Sequence, residues 1–227
     1  MRFGWANTIS VVRTLMAIGV VIILSALPSV FPALSAWGLS GASLSCGLFW
    51  LTGIIIALDG LDGYVARKFN EASPLGAVMD IVSDRVVEQV YWLGFAGLGW
   101  VPIAVPLIVI VRGTIVDSLR AIALEQGMTA FGSTTMMQHP LGVALVSSRA
   151  SRWLYAVAKL AVFMLLIGQT RVLMLNGQPT PWGFLSAAWV EPVNTILVWG
   201  CVVFCVIRGL PVLLESPRLF QKASALQ

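Results

Sequence analysis

The stretch Asp59-Gly60-Leu61-Asp62-Gly63-Tyr64-Val65-Ala66-Arg67, followed by Gly76, Asp80 and Asp84, decides how this chain is read. Four of its ten acidic residues belong to this pattern, which lies between the apolar runs 48–58 and 86–100. Carboxylates set into apolar sequence are expensive unless something neutralises them. For four at once the economical neutraliser is a divalent cation held by oxygen. The stretch therefore predicts a metal site at a membrane.

The rest of the chain agrees. Of 227 residues, 58% are hydrophobic and only 11% charged, a composition foreign to water-soluble globular proteins. Apolar runs of about 20 residues recur, and six spans are expected at 9–28, 38–59, 79–98, 101–122, 153–172 and 190–210. The first has no small-residue cleavage site after its apolar core, so it is expected to be retained rather than removed as a signal peptide. The connections are too short for a separate soluble domain. Residues 1–227 are accordingly expected to form a single, all-α integral-membrane domain. The Gly-, Ser-, Thr- and Met-rich segment 127–151 reads as an interfacial loop with a short helix.

Basic residues set the orientation. Arg2, Arg13, Arg67, Lys68, Arg112, Arg120, Arg149, Arg152, Arg208, Arg218 and Lys222 fall at the N-terminus, the second-to-third and fourth-to-fifth connections, or the C-terminus. The opposite connections, 28–40, 97–102 and 169–191, hold Arg171 as their one basic group. Both termini and the Asp-rich segment are expected on the cytoplasmic side of the cell membrane. A net charge of +4 suits anionic headgroups and phosphorylated substrates, and the sequence carries no nucleic-acid-binding motif. Cys46, Cys201 and Cys205 lie inside apolar runs and read as small buried residues.

Helical phase brings the carboxylates together. Asp59 and Asp62 are three apart at the end of the second span, and Asp80 and Asp84 four apart at the start of the third. Each pair shares a helix face, so two antiparallel helices can point all four into one space. Gly63 and Gly76 remove side chains where a backbone or ligand must approach. Ala66 is small for the same reason, and Arg67 adds a guanidinium suited to phosphate. Salt bridges to Arg67, Lys68 and Arg85 would account for one Asp-x-x-Asp pair. The full pattern D-x2-D-G-x2-A-R-x8-G-x3-D-x3-D fixes eight positions. At roughly 6% per residue type its chance occurrence is on the order of 10⁻¹⁰ per starting point.

At every fixed position the segment from Asp59 to Asp84 resembles the signature of the CDP-alcohol phosphatidyltransferases. The Asn7-Thr-Ile-Ser-Val-Val-Arg13 element looks like the Asn…Arg element that many members carry ahead of the first span. The resemblance implies a six-helix membrane fold that binds CDP-diacylglycerol and a small polar alcohol, with two divalent ions, Mg²⁺ or Mn²⁺. It implies that Asp59, Asp62, Asp80 and Asp84 are metal ligands, and that Asp84 is also the general base. It implies that Gly63, Ala66, Arg67 and Gly76 line the CDP pocket. A homodimer is implied by the resemblance alone.

For the acceptor, Arg112-Gly-Thr-Ile-Val-Asp-Ser-Leu-Arg120 looks like the Arg-Glu…Leu-Arg segment of phosphatidylglycerophosphate synthases, which use glycerol 3-phosphate. Arg112 and Arg120 are eight apart, about two turns, so both can face one pocket and bind a phosphate. Gly113 departs from the Glu of that segment, and Asp117 stands where a Ser is common. The Gly76-to-Arg85 segment looks closer to phosphatidylinositol synthases, which keeps an inositol-type acceptor as the alternative. A transporter with intramembrane carboxylates would also place charges in spans. These carboxylates cluster at the cytoplasmic ends of two helices instead of recurring at mid-membrane. A catalytically dead scaffold would have lost one of the four.

Overall fold

The computed structural model describes residues 4–36, 41–69, 74–128, 137, 139–174 and 189–217. Among them the chain is helical: α1 (Trp5–Ala36), α2 (Gly41–Lys68), α3 (Pro74–Gly97), α4 (Ala104–Glu125), the single turn α5 (Pro140–Gly142) running into a π-helical turn (Val143–Ser147), α6 (Arg149–Met174) and α7 (Val190–Glu215). The six long helices correspond to the six apolar runs expected from the sequence. Three are long and apolar enough to cross a membrane over Trp5–Ala26, Ala150–Gly168 and Val190–Glu215, and a shorter apolar stretch covers Cys46–Leu61. Helices α3 and α4 fall outside that set. Asp80, Asp84, Arg85 and Glu88 interrupt the first, and Arg112, Asp117 and Arg120 the second.

Helix ends follow local chemistry. Gly99 adopts φ +75° and Gly127 φ +76°, the left-handed conformation that glycine takes without penalty. After α3, Trp100 N–H donates to Phe95 O at 2.9 Å and Gly99 N–H to Ala96 O at 3.0 Å. After α4, Met128 N–H donates to Ala123 O at 2.9 Å and Gly127 N–H to Leu124 O at 3.0 Å. Both are Schellman ends, in which otherwise orphaned carbonyls are satisfied. Pro74 opens α3, where a missing N–H carries no penalty. Ser148 caps α6, its Oγ accepting from Ser151 N–H at 3.2 Å. Helix α1 runs on past the expected boundary at residue 28 to Ala36, through Pro28 and Pro32.

The chain divides into two compact units, Met1–Ile103 with Leu160–Thr195, and Ala104–Lys159 with Ile196–Gln227. In the first, α1 packs along both α2 and α3. Its buried stripe on α1, Asn7, Ser10, Arg13, Ala17, Val20 and Leu24, recurs every three or four residues. An aromatic cluster closes the same unit. Phe163 of α6 lies 5.1 Å from Tyr91, 5.0 Å from Trp92 and 5.4 Å from Phe95, ring centroid to centroid, within the range of favourable aromatic pairs. The buried Tyr91 hydroxyl donates to Thr52 Oγ1 at 2.9 Å and ties α3 to α2.

The second unit has its own core of Val116, Ala123, Met137, Val146 and Val212. Where the sequence suggested a loop with a short helix, α5 and the π turn occupy 140–147 and α6 begins at 149; residues 129–136 and 138 lie outside the described residues. The π turn closes through Ser148 N–H to Val143 O at 3.0 Å.

Candidate metal centre

The buried stripe of α2 runs Leu48, Thr52, Ile55, and one turn on reaches Asp59. On α3, Asp80 and Asp84 lead into Val87, Glu88 and Tyr91 by the same three-and-four spacing. The packing faces of both helices therefore end in carboxylates. One carboxylate oxygen from each of Asp59, Asp80 and Asp84 lies within 4.8 Å of the others.

Arg13 of α1 completes the cluster. Its Nη1 donates to Asp59 Oδ1, and its Nη2 donates to Asp84 Oδ1 at 2.8 Å and lies 3.9 Å from Asp80 Oδ1. The Arg13 side chain is 2% exposed, whereas those of Asp59, Asp80 and Asp84 are 44%, 50% and 45% exposed. The guanidinium thus lies beneath the carboxylates, which stay open on their other side. Three carboxylates against one guanidinium leave two negative charges among these four groups.

Small polar groups fix the register of α1 against α3 beside the cluster. Ser83, between Asp80 and Asp84 in the chain, donates from Oγ to Ser10 O at 2.8 Å. Thr14, next to Arg13, has its Oγ1 2.7 Å from Ser83 Oγ and donates to Ser10 O at 2.9 Å.

The donor set suits a hard divalent cation. Oxygens around a Mg²⁺-sized ion stand roughly 3–4.2 Å apart, set by ion–oxygen distances of about 2.1 Å. The carboxylate oxygens of Asp59, Asp80 and Asp84, all within 4.8 Å of one another, come near that spacing, and the formal charge left over after Arg13 is opposite to the ion's. Asp62, Gly63, Ala66 and Arg67 continue α2 as helical backbone to Lys68, while their side chains lie outside the described ones. Gly76 sits in the first turn of α3 and is partly buried.

Arg112 and Arg120 belong to the second unit, on α4, and both are partly buried. Arg112 lies against α7, where a β-carbon added at Gly209 would be 2.8 Å from Arg112 Nε. In the same unit Arg208 donates from Nε to Leu145 O at 3.2 Å and sits 5.3 Å from the centre of the Tyr155 ring. Lys159 lies 5.6 Å from that ring.

The sequence reading used Arg13 as a marker of orientation and as part of an N-terminal element, and did not place it among the carboxylates. The signal was present: Asn7, Ser10, Arg13 and Thr14 recur at helical spacing on an otherwise apolar helix. Polar groups on the packing face of such a helix need partners inside the protein.

The geometry agrees with kinship. A family model described as CDP-alcohol phosphatidyltransferase matches residues 3–215, and the chain belongs to that family. Among curated relatives, it is 29% identical over 128 residues to the CDP-diacylglycerol–glycerol-3-phosphate 3-phosphatidyltransferase of Mycoplasma genitalium, covering 53% of each chain. It is 30% identical over 132 residues to the protein of the same name from Wigglesworthia glossinidia brevipalpis, covering 55% of this chain and 63% of that one. A shorter match, 56% identical over 36 residues and 16% of each chain, is to the CDP-diacylglycerol–inositol 3-phosphatidyltransferase of Saccharomyces cerevisiae. The chain thus spans little more than half the length of the first two relatives.

Proposed function

We propose that this protein transfers the phosphatidyl group of CDP-diacylglycerol to glycerol 3-phosphate, forming phosphatidylglycerophosphate and releasing CMP. The observation that carries the reading is the convergence of Asp59, Asp80 and Asp84 on one point of a family member. In the proposed reaction the acceptor hydroxyl oxygen attacks the phosphorus that bears the diacylglycerol oxygen, and the bond from that phosphorus to the CMP oxygen breaks. Asp84 accepts the hydroxyl proton. Asp59, Asp62, Asp80 and Asp84 hold two divalent ions, Mg²⁺ or Mn²⁺, which when bound offset the charge of the diphosphate and of the departing CMP. Gly63, Ala66 and Gly76 leave room for the nucleotide, and Arg67 pairs with phosphate.

On the acceptor side, Arg112 and Arg120 bind the phosphate of glycerol 3-phosphate. The support is their two-turn spacing and the longer matches to glycerol-3-phosphate transferases. An inositol-type acceptor is the second reading, favoured by the short but more nearly identical matches to inositol transferases from yeasts and Arabidopsis thaliana. The proposed setting is one integral-membrane domain with six spans in the cell membrane. The carboxylates and both termini face the cytoplasm, and two chains associate as a homodimer. The deciding experiment supplies purified protein with CDP-diacylglycerol, Mg²⁺ or Mn²⁺ and a panel of alcohols, and reads CMP. Release dependent on glycerol 3-phosphate is expected. Release with inositol or inositol phosphate alone overturns the acceptor, and no release with any alcohol overturns the reaction.

A further inference from the structure

Arg13 occupies an unusual position for a basic residue at a cation site. It is almost wholly buried, carries a full positive charge, and takes one oxygen from each of two carboxylates proposed as metal ligands. A guanidinium and a divalent ion attract the same oxygens and repel one another. We propose that Arg13 is a positioning residue that acts as an internal competitor for the divalent cation, so that it weakens metal binding while stabilising the protein before metal arrives. The inference rests on the proposed metal role of Asp59, Asp80 and Asp84.

The sign of the effect follows from what else holds the cluster. If Arg13 were the group that brings the carboxylates together, its loss would scatter them and weaken metal binding. The helices that carry them are held independently. Ser83 bonds to Ser10 O and approaches Thr14 Oγ1, fixing α3 next to Asp84 to the residues that flank Arg13 on α1. Tyr91 bonds to Thr52, fixing α3 to α2 one helical stretch further on. The carboxylates would remain near one another without the guanidinium and its positive charge. Removing it relieves repulsion on an incoming ion and takes away the bonds Arg13 makes to Asp59 Oδ1 and Asp84 Oδ1. At an effective dielectric of about 20, repulsion between a unit charge and a divalent ion a few ångströms apart is worth more than a decade in affinity.

The function of such a group would be to keep the centre assembled and closed to casual ions. Arg13 reaches the carboxylates from below, while they remain about half exposed above. A cation therefore approaches from the open side and weakens the hold of Arg13 on Asp59 and Asp84 as it binds. Binding should then be stronger in the presence of a second anionic partner that shares the ion's charge, such as a diphosphate.

The test is Mn²⁺ titration of the full-length purified chain in detergent, by calorimetry, for wild type, Arg13→Gln, Arg13→Lys and Asp80→Asn. Arg13→Gln is expected to bind Mn²⁺ at least about tenfold more tightly than wild type. Its thermal midpoint without metal should be lower than wild type, and the gap should shrink at saturating Mn²⁺. Arg13→Lys, which keeps the charge but not the two-pronged grip, should fall between them. If the Gln variant is not recovered folded, Arg13→Met, which also removes the charge, decides in its place: tighter binding than wild type supports the inference, equal or weaker binding overturns it. If wild type binds Mn²⁺, Asp80→Asn loses it, and Arg13→Gln binds no more tightly than wild type, the competitor role is overturned and the metal site stands. If wild type binds no Mn²⁺, or Asp80→Asn binds as wild type does, the metal site is overturned and the inference with it.

Discussion

Gly94 of α3 faces Val21 of α1 so closely that a β-carbon added to the glycine would lie 2.5 Å from Val21 Cγ1. The two helices meet there because one of them has no side chain. Val21 is β-branched and cannot readily turn its methyls aside. Gly94→Ala is expected to destabilise the protein by about 1–3 kcal/mol, the usual penalty for overpacking. Adding Val21→Ala should restore most of the loss. Gly19→Ala, two residues from Val21 but with open space around it, should leave the thermal midpoint in detergent unchanged or raised.

Replacing Asp59 or Asp80 by Asn keeps the size of each side chain and removes its charge. Transfer is expected to be abolished in either variant, with the protein still inserted and folded. CMP release is the measurement. Activity at the wild-type level in excess EDTA would contradict a metal-dependent reaction.

Orientation can be read without activity. From the basic residues on one set of connections, position 70 and the C-terminal tail near Lys222 are expected in the cytoplasm and position 178 outside. Single cysteines at these sites should react accordingly with membrane-impermeant reagents. Labelling of positions 70 and 178 from the same side would break the six-span arrangement.

Arg112→Ala and Arg120→Ala each remove a charge-assisted contact to the proposed acceptor phosphate. A loss of about 1.5–3 kcal/mol per arginine is expected, roughly 10- to 100-fold in acceptor affinity, with CDP-diacylglycerol binding changed far less. Acceptor dependence of CMP release measures it. A uniform fall in both affinities would point to a packing role, which the closeness of Arg112 to Gly209 also makes possible to test through Gly209→Ala.

The convergence of Asp59, Asp80 and Asp84 was legible in the sequence because helical spacing fixes which residues share a face, and a short connection between α2 and α3 leaves them few ways to meet. The six long helices were legible from apolar run length. Their ends were less so. The extension of α1 to Ala36 runs through two prolines that read as a boundary, and the early start of α6 at Arg149 depends on the Ser148 cap, which hydropathy does not record. Arg13 was hidden by its sign and its place. A basic residue near the start of a first span is expected for orientation alone, and only the packing of α1 between α2 and α3 turns it inward. The Ser83 bond was hidden too, since its partner is a carbonyl that every residue carries.

That last feature makes the tolerance of the two positions unequal. Any residue small enough to fit at position 10 still presents the oxygen that Ser83 uses, so substitution of Ser10 by Ala or Gly leaves the acceptor in place. Substitution of Ser83 deletes the donor outright. The seam between α1 and α3 is therefore robust to drift on one side and brittle on the other, and a library of variants at residues 10 and 83 should be lopsided in what it permits.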